Sequence, residues 1–247
     1  MIMNHSKKLI AVMIYFTIML AGPARAVIED VAIPRDDGLV LMGTIFSPDK
    51  PGPGIVLLHQ CNKDRVSYHR LAEKLMASGF HVLTFDFRGF GESTNATNKD
   101  FGSHHETLWP LFAGDVAAAF EFLMDQSGVD TQRIGLLGAS CGGTQAVFLA
   151  QRNTSVKTVV FLSSSLPWMT DDDRAQFVSN TLSSLLCIAS EDDTSTAKRT
   201  REIFHGSKHP DSELIMYKGR AHGTPLFEHD PALQGRIVQW FEVHLAD

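Results

Sequence analysis

The chain has 247 residues, 44% of them hydrophobic and 20% charged, which is enough apolar mass to close a sizeable core. With three Cys and no low-complexity tract, it is neither a disulfide scaffold nor a disordered chain. A formal charge of −6 excludes the basic footprint of a nucleic-acid binder.

The first 26 residues read as a secretory signal peptide. Lys7 and Lys8 form a basic start, Leu9–Gly22 is an uncharged and mostly apolar run, and Ala24-Arg25-Ala26 offers small residues at the −3 and −1 positions of a cleavage site. The run has 14 residues, short of the roughly 20 that span a bilayer. The expectation is cleavage near Ala26, leaving an exported (periplasmic or secreted) soluble domain over 27–247 with no stable membrane insertion.

Within that domain, Val31–Pro34 and Leu39–Ser47 suggest an antiparallel pair turning at Asp36-Asp37-Gly38. Gly54–Leu58 is an apolar run of strand length, and Tyr68–Ser78 repeats apolar residues at helical spacing until Gly79. His81–Phe85 predicts a strand, Leu111–Met124 an amphipathic helix after Pro110, Arg133–Leu137 a strand and Thr144–Gln151 a helix. Strands follow at Val156–Leu162, Leu185–Ala189 and Glu213–Tyr217, with helices at Ala197–Phe204 and Leu233–Leu245. Near-continuous apolar strands alternating with helices demand a mostly parallel sheet covered on both faces. No Pro-, Gly- or Ser-rich linker divides the chain, so a single α/β domain is expected.

The segment Gly138-Ala139-Ser140-Cys141-Gly142 sits where a strand ends and a helix begins. A sharp turn that lifts Ser140 above the sheet edge leaves no room for side chains at the −2 and +2 positions, so Gly is required there. Three further segments follow strands: Leu58-His59-Gln60-Cys61, Asp86-Phe87-Arg88-Gly89-Phe90-Gly91-Glu92-Ser93, and Gly219-Arg220-Ala221-His222-Gly223. Together these resemble the α/β-hydrolases, in particular their dienelactone-hydrolase-like branch, over about residues 30 to 245. The resemblance implies the α/β-hydrolase fold, with about eight strands and helices on both faces.

It also implies roles. Ser140 is then the nucleophile, His222 the base, and the acid lies between them in chain order, on Ala189-Ser190-Glu191-Asp192-Asp193-Thr194. Asp193 is preferred, with Thr194-Ser195 starting the next helix, and Asp192 is the alternative. Backbone N–H groups of Cys141 and Cys61 are the expected oxyanion donors, with Gln60 the alternative to Cys61. Gln60 stands where the family usually has Gly. The same alignment brings Cys61 and Cys141 near one another, so a disulfide between them is one possibility. Cys141 is a rival nucleophile, flanked by Ala139 and Gly143, but the strand-to-Ser spacing favours Ser140. Cys187 lies in an apolar run and reads as a small buried hydrophobe.

The interval Ser163–Thr181 is too short for a large cap and predicts one short helix and a rim, with Trp168 and Met169 as the substrate-facing apolar wall. His59 is expected to be structural, and His104 and His105 to be surface residues rather than metal ligands. The functional expectation is an exported serine hydrolase acting on carboxylic esters of small to medium size, with no cofactor or metal. Thioesters, lactones and peptides use the same apparatus, and a non-catalytic binding protein on the same fold is the alternative of a different class.

Overall fold

The computed structural model describes residues 26–166, 170, 172, 176 and 178–246. Eight strands form one sheet: β1 (Val27–Pro34), β2 (Val40–Ser47), β3 (Gly52–Leu58), β4 (His81–Phe85), β5 (Val129–Ala139), β6 (Val156–Leu162), β7 (Ser184–Ser190) and β8 (Glu213–Tyr217). Their spatial order is β1-β2-β4-β3-β5-β6-β7-β8. The first hairpin pairs Val27 with Ser47 and Pro34 with Val40, and β2 runs antiparallel to β4; every other pairing is parallel. At the hairpin turn Gly38 takes a φ of +79°, a left-handed conformation that suits glycine.

Between the strands lie α1 (His69–Ala77), α2 (Phe101–Leu108), α3 (Phe112–Met124), α4 (Cys141–Ala150) and α5 (Ala197–Gly206), and after β8 come α6 (Leu226–His229) and α7 (Leu233–His244). Side chains alternate across each strand, so successive residues feed two separate cores. Val56, Leu58, Leu136, Val159, Phe161 and Cys187 pack with α3 and α4, whereas Ile55, Leu57, Leu137, Val160, Leu162 and Ile188 pack with α1 and α7. This double burial explains the continuous apolar runs of the central strands. Cys187 is fully buried, and burial pushes its thiol well above the ordinary range, which leaves it an inert core residue.

The structure departs from the sequence expectation in α2, in the short α6 and in the turn before α5. Helix α2 arises in Phe101-Gly-Ser-His-His-Glu-Thr-Leu108, where no apolar periodicity announces it. Asp100 starts it by accepting bonds from the amides of Gly102 and Ser103 at 3.1 Å each. Helix α5 begins at Ala197, where the spacing puts it, but Thr194-Ser195 do not open it: Ser195 and Thr196 fold back onto Asp193. Trp168 and Met169 lie outside the described residues.

Candidate active site

Ser140 occupies the turn between β5 and α4 with φ +51° and ψ −121°, a conformation rare for a residue with a Cβ. The surroundings hold it there. Its amide donates to the Leu162 carbonyl (2.9 Å), while its own carbonyl accepts from the amides of Gly143 and Thr144 and from the Ser164 hydroxyl. A Cβ on Gly138 would meet the Gly142 carbonyl oxygen at 2.3 Å, and one on Gly142 would meet the Leu58 carbonyl oxygen at 2.2 Å. The glycines therefore let α4 enter directly over the ends of β5 and β3.

Acid and base come from neighbouring loops after β7 and β8. His222 Nδ1 lies 2.7 Å from Asp193 Oδ2. Asp193 is buried and also accepts from the Ser195 hydroxyl at 2.6 Å and from the Thr196 hydroxyl, whereas Asp192 points to solvent. Burial pushes the Asp193 carboxyl upward, but the bonds from Ser195, Thr196 and His222 outweigh it and hold the group below the usual carboxylate range. An ionised carboxylate at Nδ1 fixes the imidazole proton on that nitrogen and leaves Nε2 as the basic one. The two loops are tied together: Glu191 N–H donates to the Tyr217 carbonyl, Asp192 N–H to the Gly219 carbonyl, and Ser190 Oγ to the Ala221 carbonyl (2.7 Å). Among the described residues, no hydrogen bond joins the Ser140 hydroxyl to His222, an arrangement common before substrate draws the groups together.

The loop after β3 approaches from the other side. Phe87 N–H donates to His59 Nε2 (3.0 Å), so Nδ1 carries the proton and donates to the Gln60 carbonyl (2.9 Å). Burial lowers the His59 pKa, consistent with a neutral, structural ring. The Gln60 carbonyl also accepts from Lys63 N–H (3.0 Å). In a trans peptide the next N–H points opposite to that carbonyl, so the Cys61 N–H is turned away from the buried His59. The Cys141 N–H opens α4 and has no intrahelical partner. Neither N–H is engaged in a hydrogen bond among the described residues. Cys61 and Cys141 are joined by a disulfide, with their Cα atoms 5.9 Å apart. The Gln60 side chain also takes part in the site: Oε1 accepts from Thr224 N–H at 2.8 Å, beside the His222 loop.

The Asp86–Ser93 turn is structural. The Arg65 guanidinium pairs with Asp86, and Arg88 grips Asp115 through two bonds of 2.6 Å while reaching Asp37 at 2.7 Å. His104 and His105 lie on the exposed α2, and the His104 ring contacts the Asp100 carbonyl.

A pocket of about 250 Å³ is lined by Ser140, Cys61, Cys141, Phe101, Trp109, Thr144, Ser165 and Thr196, with no charged side chain among them. Phe101 and Trp109, its aromatic wall, escape the sequence reading because α2 does. The latch by Gln60 and the bonds of Ser195 and Thr196 to Asp193 escape it too, although Asp-Thr-Ser-Thr is a local signature for a carboxylate receiving nearby hydroxyls.

Comparison with known proteins agrees with this architecture. Residues 53–201 match the family described as alpha/beta hydrolase fold. A thiohydrolase of Aspergillus aculeatus is 30% identical over 125 residues, covering 50% of this chain and 37% of its own. A thiohydrolase of Arthrinium phaeospermum is 32% identical over 133 residues, covering 53% of this chain and 41% of its own. The match to these curated relatives thus spans less than half of their length. Among solved structures, an esterase of Pyrococcus furiosus superposes with a TM-score of 0.73 at 19% identity, over 90% of this chain and 94% of that one. A dienelactone hydrolase of Anabaena variabilis gives 0.73 at 18%, over 90% and 99%. A strained serine elbow, the eight-strand order and a family match over more than half of the sequence converge: this chain belongs to the alpha/beta hydrolase fold family.

Proposed function

We propose that this protein is a serine hydrolase that cleaves small, uncharged carboxylic esters through an acyl-enzyme. The observation that carries the reading is the 2.7 Å pair of His222 and Asp193, on loops fastened to one another, with Thr196 of the acid loop lining the same pocket as Ser140. His222 Nε2 takes the Ser140 proton as Oγ attacks the ester carbonyl carbon. The carbonyl oxygen becomes an oxyanion that accepts from the Cys61 and Cys141 N–H groups, the latter at the positive end of α4. His222 then gives its proton to the leaving alcohol oxygen as that C–O bond breaks. Water repeats the sequence on the acyl-enzyme, releasing the acid and restoring Ser140.

The pocket favours substrates without charge on the acyl side, since aromatic rings and hydroxyls line it. Thioesters are a second reading, favoured by the two relatives described as thiohydrolases. Export with cleavage near Ala26 belongs to the same proposal: the basic start, apolar run and small-residue site support it, and a disulfide persists in such a compartment.

Labelling with a fluorophosphonate, alongside turnover of short p-nitrophenyl esters, tests the reading. Labelling and turnover by the unmodified chain, both absent from Ser140→Ala, are the expected result. An unmodified chain that neither labels nor hydrolyses any ester or thioester overturns it in favour of a binding protein, and labelling that survives Ser140→Ala points to another nucleophile.

A further inference from the structure

The disulfide joins Cys61 and Cys141, both of which line the pocket beside Ser140 and carry the two expected oxyanion donors. The two sides are not equally well held. Cys141 opens the ten-residue α4, which packs through Gly142 against the Leu58 and His59 carbonyls so closely that no Cβ fits. Cys61 instead occupies a turn closed by Lys63 N–H on the Gln60 carbonyl, followed by the exposed Asn62 and Lys63. Its amide and carbonyl make no hydrogen bond among the described residues. Behind it, Gln60 is anchored to Thr224 and its Nε2 donates to Asn62 Oδ1 at 2.6 Å; ahead of it, Arg65 N–H donates to the buried Asp86 carboxylate at 2.7 Å. The Gln60–Asn62 and Gln60–Lys63 bonds close this loop on itself, and the disulfide is the bond that ties Cys61 itself to α4.

We propose that the Cys61–Cys141 disulfide is a positioning element that fixes the Cys61 N–H donor relative to the Cys141 donor, so that turnover is conditional on its oxidation. The inference rests on the serine-hydrolase reading. A donor must lie within a few tenths of an ångström of the place where the oxyanion forms, and loosening it weakens the transition state without weakening ground-state binding to the same degree. Reduction supplies the loosening. Two thiols cannot sit as close as two bonded sulfurs, so the loops part or one side chain turns. Cys141 Sγ lies 3.8 Å from the His59 carbonyl oxygen, which gives the reduced thiol an acceptor of its own. Both half-buried cysteines line the pocket, so a small dithiol has access to the bond. One dithiol thiolate attacks a cysteine sulfur, breaking the S–S bond and expelling the other cysteine as a thiolate that takes up a proton. The second dithiol sulfur then closes its own disulfide and releases the first cysteine. Two electrons and two protons pass from dithiol to protein, and the dithiol is oxidised.

The test uses the full chain, oxidised or reduced with dithiothreitol, with thiols titrated in denaturant: one thiol (Cys187) before reduction and three after. The expected result is a fall in kcat on p-nitrophenyl acetate of at least about tenfold with KM changed less than about threefold. Re-oxidation with glutathione disulfide restores kcat. Cys61→Ser is expected to show the same low kcat with no response to dithiothreitol, and Cys61→Ala, measured at 10 °C, covers the case in which the reduced chain loses its circular dichroism. Equal kcat in the oxidised and fully reduced folded chain, or a Cys61→Ala variant with unchanged kcat and only a lower Tm, overturns the inference and leaves the hydrolase reading intact. An oxidised chain without turnover defeats that reading instead, and the inference with it.

Discussion

The Gln60 carboxamide oxygen accepts hydrogen bonds from both the amide and the hydroxyl of Thr224, at 2.8 and 3.2 Å, across 164 positions of sequence. This one side chain fastens the loop that carries Cys61 to the loop that carries His222. The neighbouring Gly223 takes a φ of +71°, and a Cβ there would meet Gln60 Oε1 at 2.0 Å. The glycine is thus required by the backbone conformation and by the latch together.

Replacing Gln60 by Leu strands the buried Thr224 amide and hydroxyl without an acceptor. Each unmade buried bond costs about 1–3 kcal/mol, so the expected effect is a lower Tm and a kcat reduced about tenfold as His222 loses its seat. Gln60→Glu keeps an acceptor in place and is expected to retain more of both. Thermal denaturation and steady-state kinetics of the two variants check the ordering; equal behaviour would remove the latch from the account.

Asp193→Asn tests the acid. The amide presents its NH2 to Nδ1 in one orientation, which moves the ring proton to Nε2 and removes the base; a loss of kcat on the order of 10³–10⁴ is expected. Asp193→Asn with full kcat rules out this role and turns attention to the exposed Asp192.

The same carboxylate has a stability signature. Its pKa is lowered in the folded chain, so it contributes stability above the unfolded carboxylate value, and that contribution is lost as pH falls through the folded one. The Tm difference between the unmodified chain and Asp193→Asn is therefore expected to be constant above about pH 5 and to shrink below it. A difference that grows on acidification contradicts the direction of the shift.

Gly142→Ala probes the approach of α4 to β3. Its new Cβ would fall 2.2 Å from the Leu58 carbonyl oxygen and 2.7 Å from that of His59, both backbone atoms that cannot swing aside. The helix must retreat, at a cost of about 1–3 kcal/mol, taking the Cys141 N–H and Ser140 with it. Reduced stability together with lost fluorophosphonate labelling is the expected outcome; an unperturbed Tm would show that the contact relaxes freely.

Much of this site was legible because its demands are local. Gly138, Ser140 and Gly142 announce a sharp turn by sterics alone, and the apolar strands announce a sheet buried on both faces. The number of strands, about eight, followed from the family resemblance, whereas their spatial order is a finding of the structure. Asp192 and Asp193 could be ranked but not separated from sequence, since one residue of turn geometry decides which carboxylate turns inward. Gln60 and Thr224 gave no sign of each other, because nothing local encodes a contact between two loops that only tertiary packing brings together. Helix α2 is illegible for a related reason: its residues are mostly polar, and its Phe101 is held by tertiary contacts with Phe90 and Phe112, at ring distances of 5.1 and 5.2 Å.

That helix sets the last expectation. Phe101 and the adjoining Trp109 form the aromatic side of a pocket of about 250 Å³, which suits a short acyl group. Removing the indole opens space where a longer chain can lie, and each methylene accommodated is worth about 1–3 kcal/mol in transition-state binding. Trp109→Ala is therefore expected to raise kcat/KM for p-nitrophenyl hexanoate relative to acetate by about tenfold or more, with the acetate rate falling as the small acyl group loses its wall. Phe101→Ala should shift the ratio in the same direction, and both variants should lower Tm, because Phe101 packs on Phe90 and Phe112 and Trp109 packs on Phe112. A hexanoate-to-acetate ratio unchanged in both variants would mean that the acyl chain lies elsewhere, and the aromatic wall would then be core rather than specificity.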